Sequence, residues 1–320
     1  MKQENRNKIY FRADAGGTIG YGHFIRSLAL ADMLKDDFEC VIYTQAPSEY
    51  QRKECERICT LVGLPADDTK FQIFLDGLKG DEIIVLDNYF YTTEYQEAIK
   101  NKGCKLVCID DMHDKHYVAD AVINQSPVKE SEFDKEIYTR LYLGTDYELL
   151  RKPFLQPLSG RSRNDNVIVC FGGADPLHLT DKIVSFLVEI RAPYHIITIL
   201  GDKATLSNEN RKYVDVKSKL SAQQVADLFE SSAFGILSAS TVCLEAMSRR
   251  LPIMIGYYVD NQKEGFERFR ERGNFISLGY IPDLNKKQLK AAISQLDTFV
   301  ATERDYSLIP ERIKQIFHTL

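Results

Sequence analysis

The stretch KIYFRADAGGTIGYGHFIRSLALADML, Lys8 to Leu34, constrains the fold more than any other part of the chain. Its first residues, Ile9 to Ala13, alternate into an apolar core and read as a short strand. Gly16, Gly17, Gly20 and Gly22 then crowd into a loop. From near His23, the residues Ile25, Leu28, Ala29, Ala31 and Leu34 fall on one face of a helix. Strand, glycine turn and helix is a layout in which backbone approaches a ligand closely at a helix N-terminus. The spacing is not G-x-G-x-x-G, so the dinucleotide fingerprint is absent. His23 follows Gly-Tyr-Gly in the first turn of the helix, which places it exposed at the carboxyl edge of a sheet. A helix N-terminus favours a neutral imidazole, the form a general base needs. A turn cap is the plain alternative for the same residue.

The rest of the chain alternates strand and helix. Cys40 to Thr44, Glu82 to Asp87, Lys105 to Asp110 and Ala119 to Asn124 read as strands, with helices at Tyr50 to Leu61 and Thr92 to Lys100. Unbroken apolar runs separated by helices imply an α/β fold with a parallel sheet covered on both faces. Asp87, Asn88, Asp110, Asp111 and Asn124 end these strands and gather on one rim with the glycine loop, where open α/β sheets bind ligands. For any one of the aspartates the ordinary role is to cap the next helix.

Arg151 to Asn166 contains Pro153, Pro157, Gly160 and the polar run SGRSRNDN without periodicity, which marks a boundary. The alternation then restarts. Strands are expected at Asn166 to Phe171, Tyr194 to Leu200, Phe234 to Ser238 and Ile253 to Tyr257. Helices are expected at His178 to Ile190, Ala222 to Glu230, Ser240 to Arg249, Asn261 to Arg270, Lys286 to Leu296 and Pro310 to Phe317. The expected organisation is an N-terminal domain over 1–155, a second over 165–305, and a C-terminal helix over 306–320 that packs back toward the first. Two such sheets facing across a cleft is the most economical architecture.

The second half has its own constellation in SASTVCLEA. Ser238, Ser240 and Thr241 open a helix and Glu245 lies about one turn inside it. Hydroxyls and open backbone N–H groups at a helix N-terminus suit a diphosphate, and a carboxylate one turn in can accept both hydroxyls of a ribose. An ordinary capping motif is the competing role. Gly172 and Gly173 form a second close-approach loop, and Asp260, Asn261 and Gln262 follow a later strand.

Composition narrows the partners. A net charge of −5 with no basic block gives no support for nucleic acid. No apolar run nears the roughly twenty residues of a membrane span, and MKQENRNK has no signal-peptide core; a cytoplasmic, monomeric protein is the expectation. The seven cysteines include Cys55 with Cys59 and Cys104 with Cys108, each pair four apart. Neither pair has C-x-x-C spacing, so reduced thiols, no metal and no cofactor are expected.

GGTIGYGHFIRSLALA, FGGADP, and SASTVCLEA with a following DNQ together resemble the bacterial UDP-sugar hydrolases of pseudaminic acid biosynthesis, which have the GT-B glycosyltransferase-like fold of two Rossmann-like domains. The resemblance covers roughly residues 8 to 280, and its most specific part is Gly20, Gly22, His23 and Arg26. TDYELLRKPF, with Tyr147, Leu150 and Arg151, looks like the segment that closes the family's first domain. The resemblance implies that His23 activates water, that Asp87 and Tyr89 line the sugar site, and that Ser240, Thr241 and Glu245 hold UDP. It carries Gly20, Gly22, Arg26, Asn124, Tyr147, Asn261 and Gln262 as substrate contacts and Gly172 and Gly173 as UDP contacts. The implied substrate is a UDP-2,4-diacetamido-2,4,6-trideoxy-β-L-altrose-type sugar. Asn88 stands where the family often has histidine, and Ala15 to Gly17 where serine is frequent. The peptidoglycan glycosyltransferase that uses UDP-N-acetylglucosamine looks similar in both halves, and a nucleotide-sugar-binding subunit without catalysis is a third reading; a base at His23 argues against the last.

Overall fold

The computed structural model describes residues 6–16, 20–173, 175–201, 204–271 and 275–320. Gly17 of the glycine loop and Ala174 of FGGADP lie outside them, as does the side chain of Asn261. Two compact units emerge, one of Met1–Lys152 with Leu308–Leu320, the other of Pro153–Ser307.

In the first unit the elements run β1 (Lys8–Arg12), α1 (Gly22–Leu34), β2 (Glu39–Gln45), α2 (Glu49–Cys55), β3 (Thr60–Leu64), α3 (Thr69–Asp76), β4 (Ile83–Leu86), α4 (Thr93–Asn101), β5 (Lys105–Ile109), β6 (His116–Tyr117), β7 (Ala121–Asn124), β8 (Asp134–Lys135) and β9 (Arg140–Leu143). The short α5 (Lys152–Leu155) leads out of it. The second unit holds β10 (Asn166–Cys170), α6 (Leu179–Glu189), β11 (His195–Ile199), β12 (Val214–Lys217), α7 (Ala222–Ser231), β13 (Phe234–Ser238), α8 (Thr241–Ser248), β14 (Ile253–Tyr257), α9 (Asp260–Glu271), β15 (Ile276–Tyr280) and α10 (Lys286–Ile293). Helix α11 (Ile309–His318) ends the chain. It packs on α1 in the first unit, with Phe317 against Phe38 and Lys314 paired to Asp37.

The first sheet has the order β3-β2-β1-β4-β5-β7-β9 and the second β12-β11-β10-β13-β14-β15. Every pairing in both is parallel. Starting in the middle, stepping one way and then returning past the first strand leaves a crevice at the carboxyl ends where the direction reverses. It falls between β1 and β4 in one unit and between β10 and β13 in the other. Central strands such as Ile83–Leu86 and Phe234–Ser238 are buried along their whole length, as helices on both faces require.

The helix expected over Tyr50–Leu61 stops at Cys55, and the residues from Thr60 form strand β3 instead. Thr60 and Val62 are β-branched and half-exposed or exposed at a sheet edge, where a strand needs no long apolar run. Edge strands β9, β12 and β15 escape the pattern for the same reason; no residue of β12 is fully buried. Among the described residues no helix is long and apolar enough to cross a membrane.

One backbone approach fixes the rim of the second sheet. A Cβ at Gly201 would lie 2.2 Å from the Gly173 carbonyl oxygen. Because that neighbour is backbone, the two chain segments must move apart to admit a side chain. Gly201→Ala is expected to cost about 2 kcal/mol by overpacking, read as a lower urea midpoint at unchanged slope.

Candidate functional site

Helix α1 places His23, Arg26 and Ser27 at i, i+3 and i+4, so the three share one face. That face looks at the tip of β4, the neighbour of β1, where Asp87 N–H donates to the Arg12 carbonyl. All three converge on the Asp87 carboxylate. His23 Nδ1 lies 2.7 Å from Oδ1, Arg26 donates from Nε to Oδ2 at 2.7 Å and from a terminal nitrogen to Oδ1 at 2.6 Å, and the Ser27 hydroxyl donates to Oδ2 at 3.2 Å. Asp87 is fully buried and His23 and Arg26 nearly so.

Burial alone would raise the Asp87 pKa. The Arg26 charge and the hydrogen bonds from Arg26 and His23 outweigh it, and the carboxyl sits below its ordinary 3.8. Arg26 is likewise opposed by burial, but Asp111 and Asp87 hold its pKa well above the usual value. An ionised carboxylate 2.7 Å from a ring nitrogen needs a proton between them, so Nδ1 carries the hydrogen and donates it to Asp87. In the neutral ring Nε2 is then the nitrogen with the lone pair, the arrangement of a base oriented by a carboxylate. With Nδ1 donating, the Arg26 nitrogen 3.1 Å away is a packed neighbour and not a partner.

Arg26 also donates from its other terminal nitrogen to both oxygens of Asp111, at 2.8 and 2.7 Å. Its guanidinium therefore grips two carboxylates inside the unit, which makes it a structural cation and not a phosphate ligand. Tyr89 is exposed, donates its hydroxyl to Asp111 at 3.1 Å and sets its ring edge-on to His23 with centroids 4.6 Å apart. Asn88 points the other way. Its Oδ1 accepts the Asp14 N–H at 2.7 Å and its Nδ2 donates to the Asp14 carbonyl. It stitches the entry of the glycine loop to the tip of β4, and the loop closes on itself by a bond from Gly16 N–H to the Gly20 carbonyl at 3.0 Å. Gly20 needs its positive φ of 78°, and Gly22 opens α1.

Two of the sequence-derived contacts stand apart from this cluster. Asn124 is fully buried, its amide donating to Asp110 at 2.9 Å and its oxygen accepting from Ser126 N–H at 2.8 Å, so it steadies the rim rather than meeting a sugar. Tyr147 lies past β9, with β5 and β7 between it and β4, roughly 14 Å across the sheet at normal strand spacing. Its ring packs on Tyr142. Asp87 itself lies beneath His23 with no exposed surface to offer a sugar.

In the second unit, Ser240 is the N-cap of α8, but its hydroxyl lies 3.0 Å from that of Ser238 and makes no side-chain cap bond. Thr241 is the first helical residue, and Glu245 is buried one turn further. Helix α6 differs, since Asp175 accepts from the N–H groups of Leu179 and Thr180 at 2.8 and 2.9 Å. The switch point of this unit thus leaves the α8 end, and not the α6 end, without a side-chain cap. Gly172 has a φ of 86° in the turn after β10. The Gln262 side chain accepts from Tyr258 N–H at 3.3 Å.

Sequence reasoning missed Asp111 and Ser27 as members of the His23 cluster, and it missed a buried pair at the end of β1. Arg12 and Asp14 are fully buried and ion-paired, and Lys70 joins Asp14 at 3.1 Å. Charged residues directly at the end of an apolar strand were the available signal.

The two parallel sheets, each with its polar residues at the switch point, define a fold of the GT-B glycosyltransferase type. S. aureus MnaA, in a co-structure with UDP, superposes with a TM-score of 0.66 over 98% of each chain at 11% identity. No protein-family model matches the chain. It is 25% identical over 292 residues to the UDP-2,4-diacetamido-2,4,6-trideoxy-β-L-altropyranose hydrolase of Campylobacter jejuni, covering 85% of this chain and 100% of that one. An uncharacterized protein of Methanocaldococcus jannaschii is 24% identical over 325 residues, covering 94% of this chain and 67% of that protein. The match to the hydrolase is distant and spans most of the chain.

A carboxyl whose pKa is lowered on folding adds stability above its unfolded value and loses it as pH falls through the folded value. Asp87→Asn leaves Arg26 buried with one carboxylate fewer and is expected to cost about 3–5 kcal/mol at neutral pH. Urea denaturation of the two proteins should show that gap above about pH 4 and its narrowing below it.

Proposed function

We propose that the protein processes a UDP-linked amino-deoxy sugar and does so by hydrolysis, water attacking the anomeric carbon while UDP departs intact. The observation that carries this reading is the His23–Asp87 pair beside the glycine loop. One ring nitrogen is tied to a buried carboxylate and the other is left to take a proton. Binding alone has no use for such a pair.

In this reading Nε2 of His23 takes a proton from water. The water oxygen bonds to the anomeric carbon, and the bond from that carbon to the phosphate oxygen breaks with its electron pair leaving on UDP. Asp87 keeps the Nδ1 proton oriented. Gly20 and Gly22 let backbone approach the sugar, and Tyr89 contributes a wall beside His23. The second unit takes the nucleotide. Ser240, Thr241 and the N-terminus of α8 receive the diphosphate, Gly172 and Gly173 give close approach, and Glu245 accepts the ribose hydroxyls. In this reading the developing charge on UDP is met by helix N-terminal N–H groups rather than by a metal. The similarity to the Campylobacter hydrolase supports a diacetamido-trideoxy-altrose as the sugar.

The test is UDP release from a panel of UDP-sugars in water without an acceptor. A hydrolase releases UDP; a glycosyltransferase needs an acceptor alcohol; a binding subunit releases none with or without one. Binding and chemistry should separate by mutation. His23→Asn is expected to lower turnover about 10²-fold or more with UDP affinity kept. Glu245→Gln is expected to weaken UDP by about 1–3 kcal/mol in calorimetry, with a much smaller loss of turnover at saturating substrate.

A further inference from the structure

Asp111 has no part in the scheme above, yet it is tied to His23 by two routes. Through Arg26 it shares the guanidinium that also grips Asp87, with both Asp111 oxygens within 2.8 Å of one terminal nitrogen. Through Tyr89 it accepts the hydroxyl at 3.1 Å and so sets the ring that lies edge-on to the imidazole. The backbone turn that presents it is fixed by its neighbour. Asp110 accepts from the N–H groups of Met112 and His113, from the Tyr117 hydroxyl at 2.5 Å and from Asn124. With Asp110 locked downward into the rim, residue 111 is turned toward α1.

The charges then do not cancel. The groups joined to the imidazole and to one another are Arg26 from its own helix, Asp87 and Tyr89 from beyond β4, and Asp111 from beyond β5; next to them stand Lys115, which is paired with Asp114 and bonded to the Tyr89 carbonyl, and the buried Asp110. One guanidinium stands against two carboxylates, so the cluster carries one negative charge in excess while the ring is neutral. It becomes balanced when the ring gains a proton. Without Asp111, Arg26 would neutralise Asp87 and the protonated ring would face no net counter-charge.

We infer that Asp111 is a positioning residue for His23, supplying the excess negative charge that balances the imidazolium and holding Arg26 and Tyr89 in place around the ring. The kinetic consequence rests on the hydrolase reading; the electrostatic consequence does not. Asp111 is partly exposed, with a side-chain accessibility of 24%, so a change there is tolerated better than at Asp87.

The experiment is an NMR titration of the His23 ring in the full-length protein without substrate, in native protein, Asp111→Asn and Asp111→Glu. Asparagine keeps one acceptor oxygen where the carboxylate has two and removes the charge, and should lower the His23 titration midpoint by about half a pH unit or more. Glutamate keeps the charge and should restore most of the midpoint. Where a released UDP is detected, Asp111→Asn should lower kcat about 10-fold with KM and UDP affinity little changed. Should the asparagine variant not fold, Asp111→Ser is read in the same way. An unchanged midpoint in a folded, charge-removed variant overturns the inference, whatever the protein does to UDP-sugars. A lowered midpoint in a protein that turns over no UDP-sugar sustains Asp111 and overturns the hydrolase reading instead.

Discussion

The first unit is arranged around one buried anion. Asp87 sits at the point where the strand order reverses, without exposed surface, and a carboxylate in that position is tolerable only when fully paired. Its oxygens receive His23, Arg26 and Ser27, which their spacing in the sequence puts on one face of α1. The same pairing fixes which imidazole nitrogen carries the proton. Fold stability and the chemistry open to the site therefore draw on one set of contacts. Arg26 is the hinge of that set, since it links the buried Asp87 to the partly exposed Asp111.

Half of this was legible in the sequence. The i, i+3 spacing of His23 and Arg26 after a glycine turn places both on one helix face, and the aspartates at strand ends must meet the same rim. What one sequence cannot give is register. Asp87 reaches His23 because β4 hydrogen-bonds β1 with Leu86 opposite Arg12, a pairing between segments far apart in the chain. Read alone, Asp87, Asp110 and Asp111 are three equivalent strand-end acids. Folded, they are an anchor for the base, a lock on a turn and a partner of Arg26. Asn88 shows the same limit, because its amide pairs with the Asp14 backbone, which no local pattern announces. Central strands were readable by their continuous apolar runs, while edge strands such as Val214–Lys217, half-exposed throughout, carry no such run.

The second unit repeats the plan with a different ending. Both sheets place glycine-bearing turns after their first strand and a helix start after the strand on the other side of the switch point. In the first unit that crevice is filled by charged side chains gripping one another. In the second, the Ser240 hydroxyl pairs with Ser238 and α8 begins without a side-chain cap, which suits an anion supplied from outside the chain.

The reaction proposed for His23 is attack at carbon and not at phosphorus. Hydrolysis in water enriched with heavy oxygen distinguishes them directly. The account predicts the label in the sugar hydroxyl at the anomeric carbon, none in UDP, and a rate that chelator leaves unchanged. Label in the phosphate, or activity lost to chelator and restored by magnesium, would contradict it.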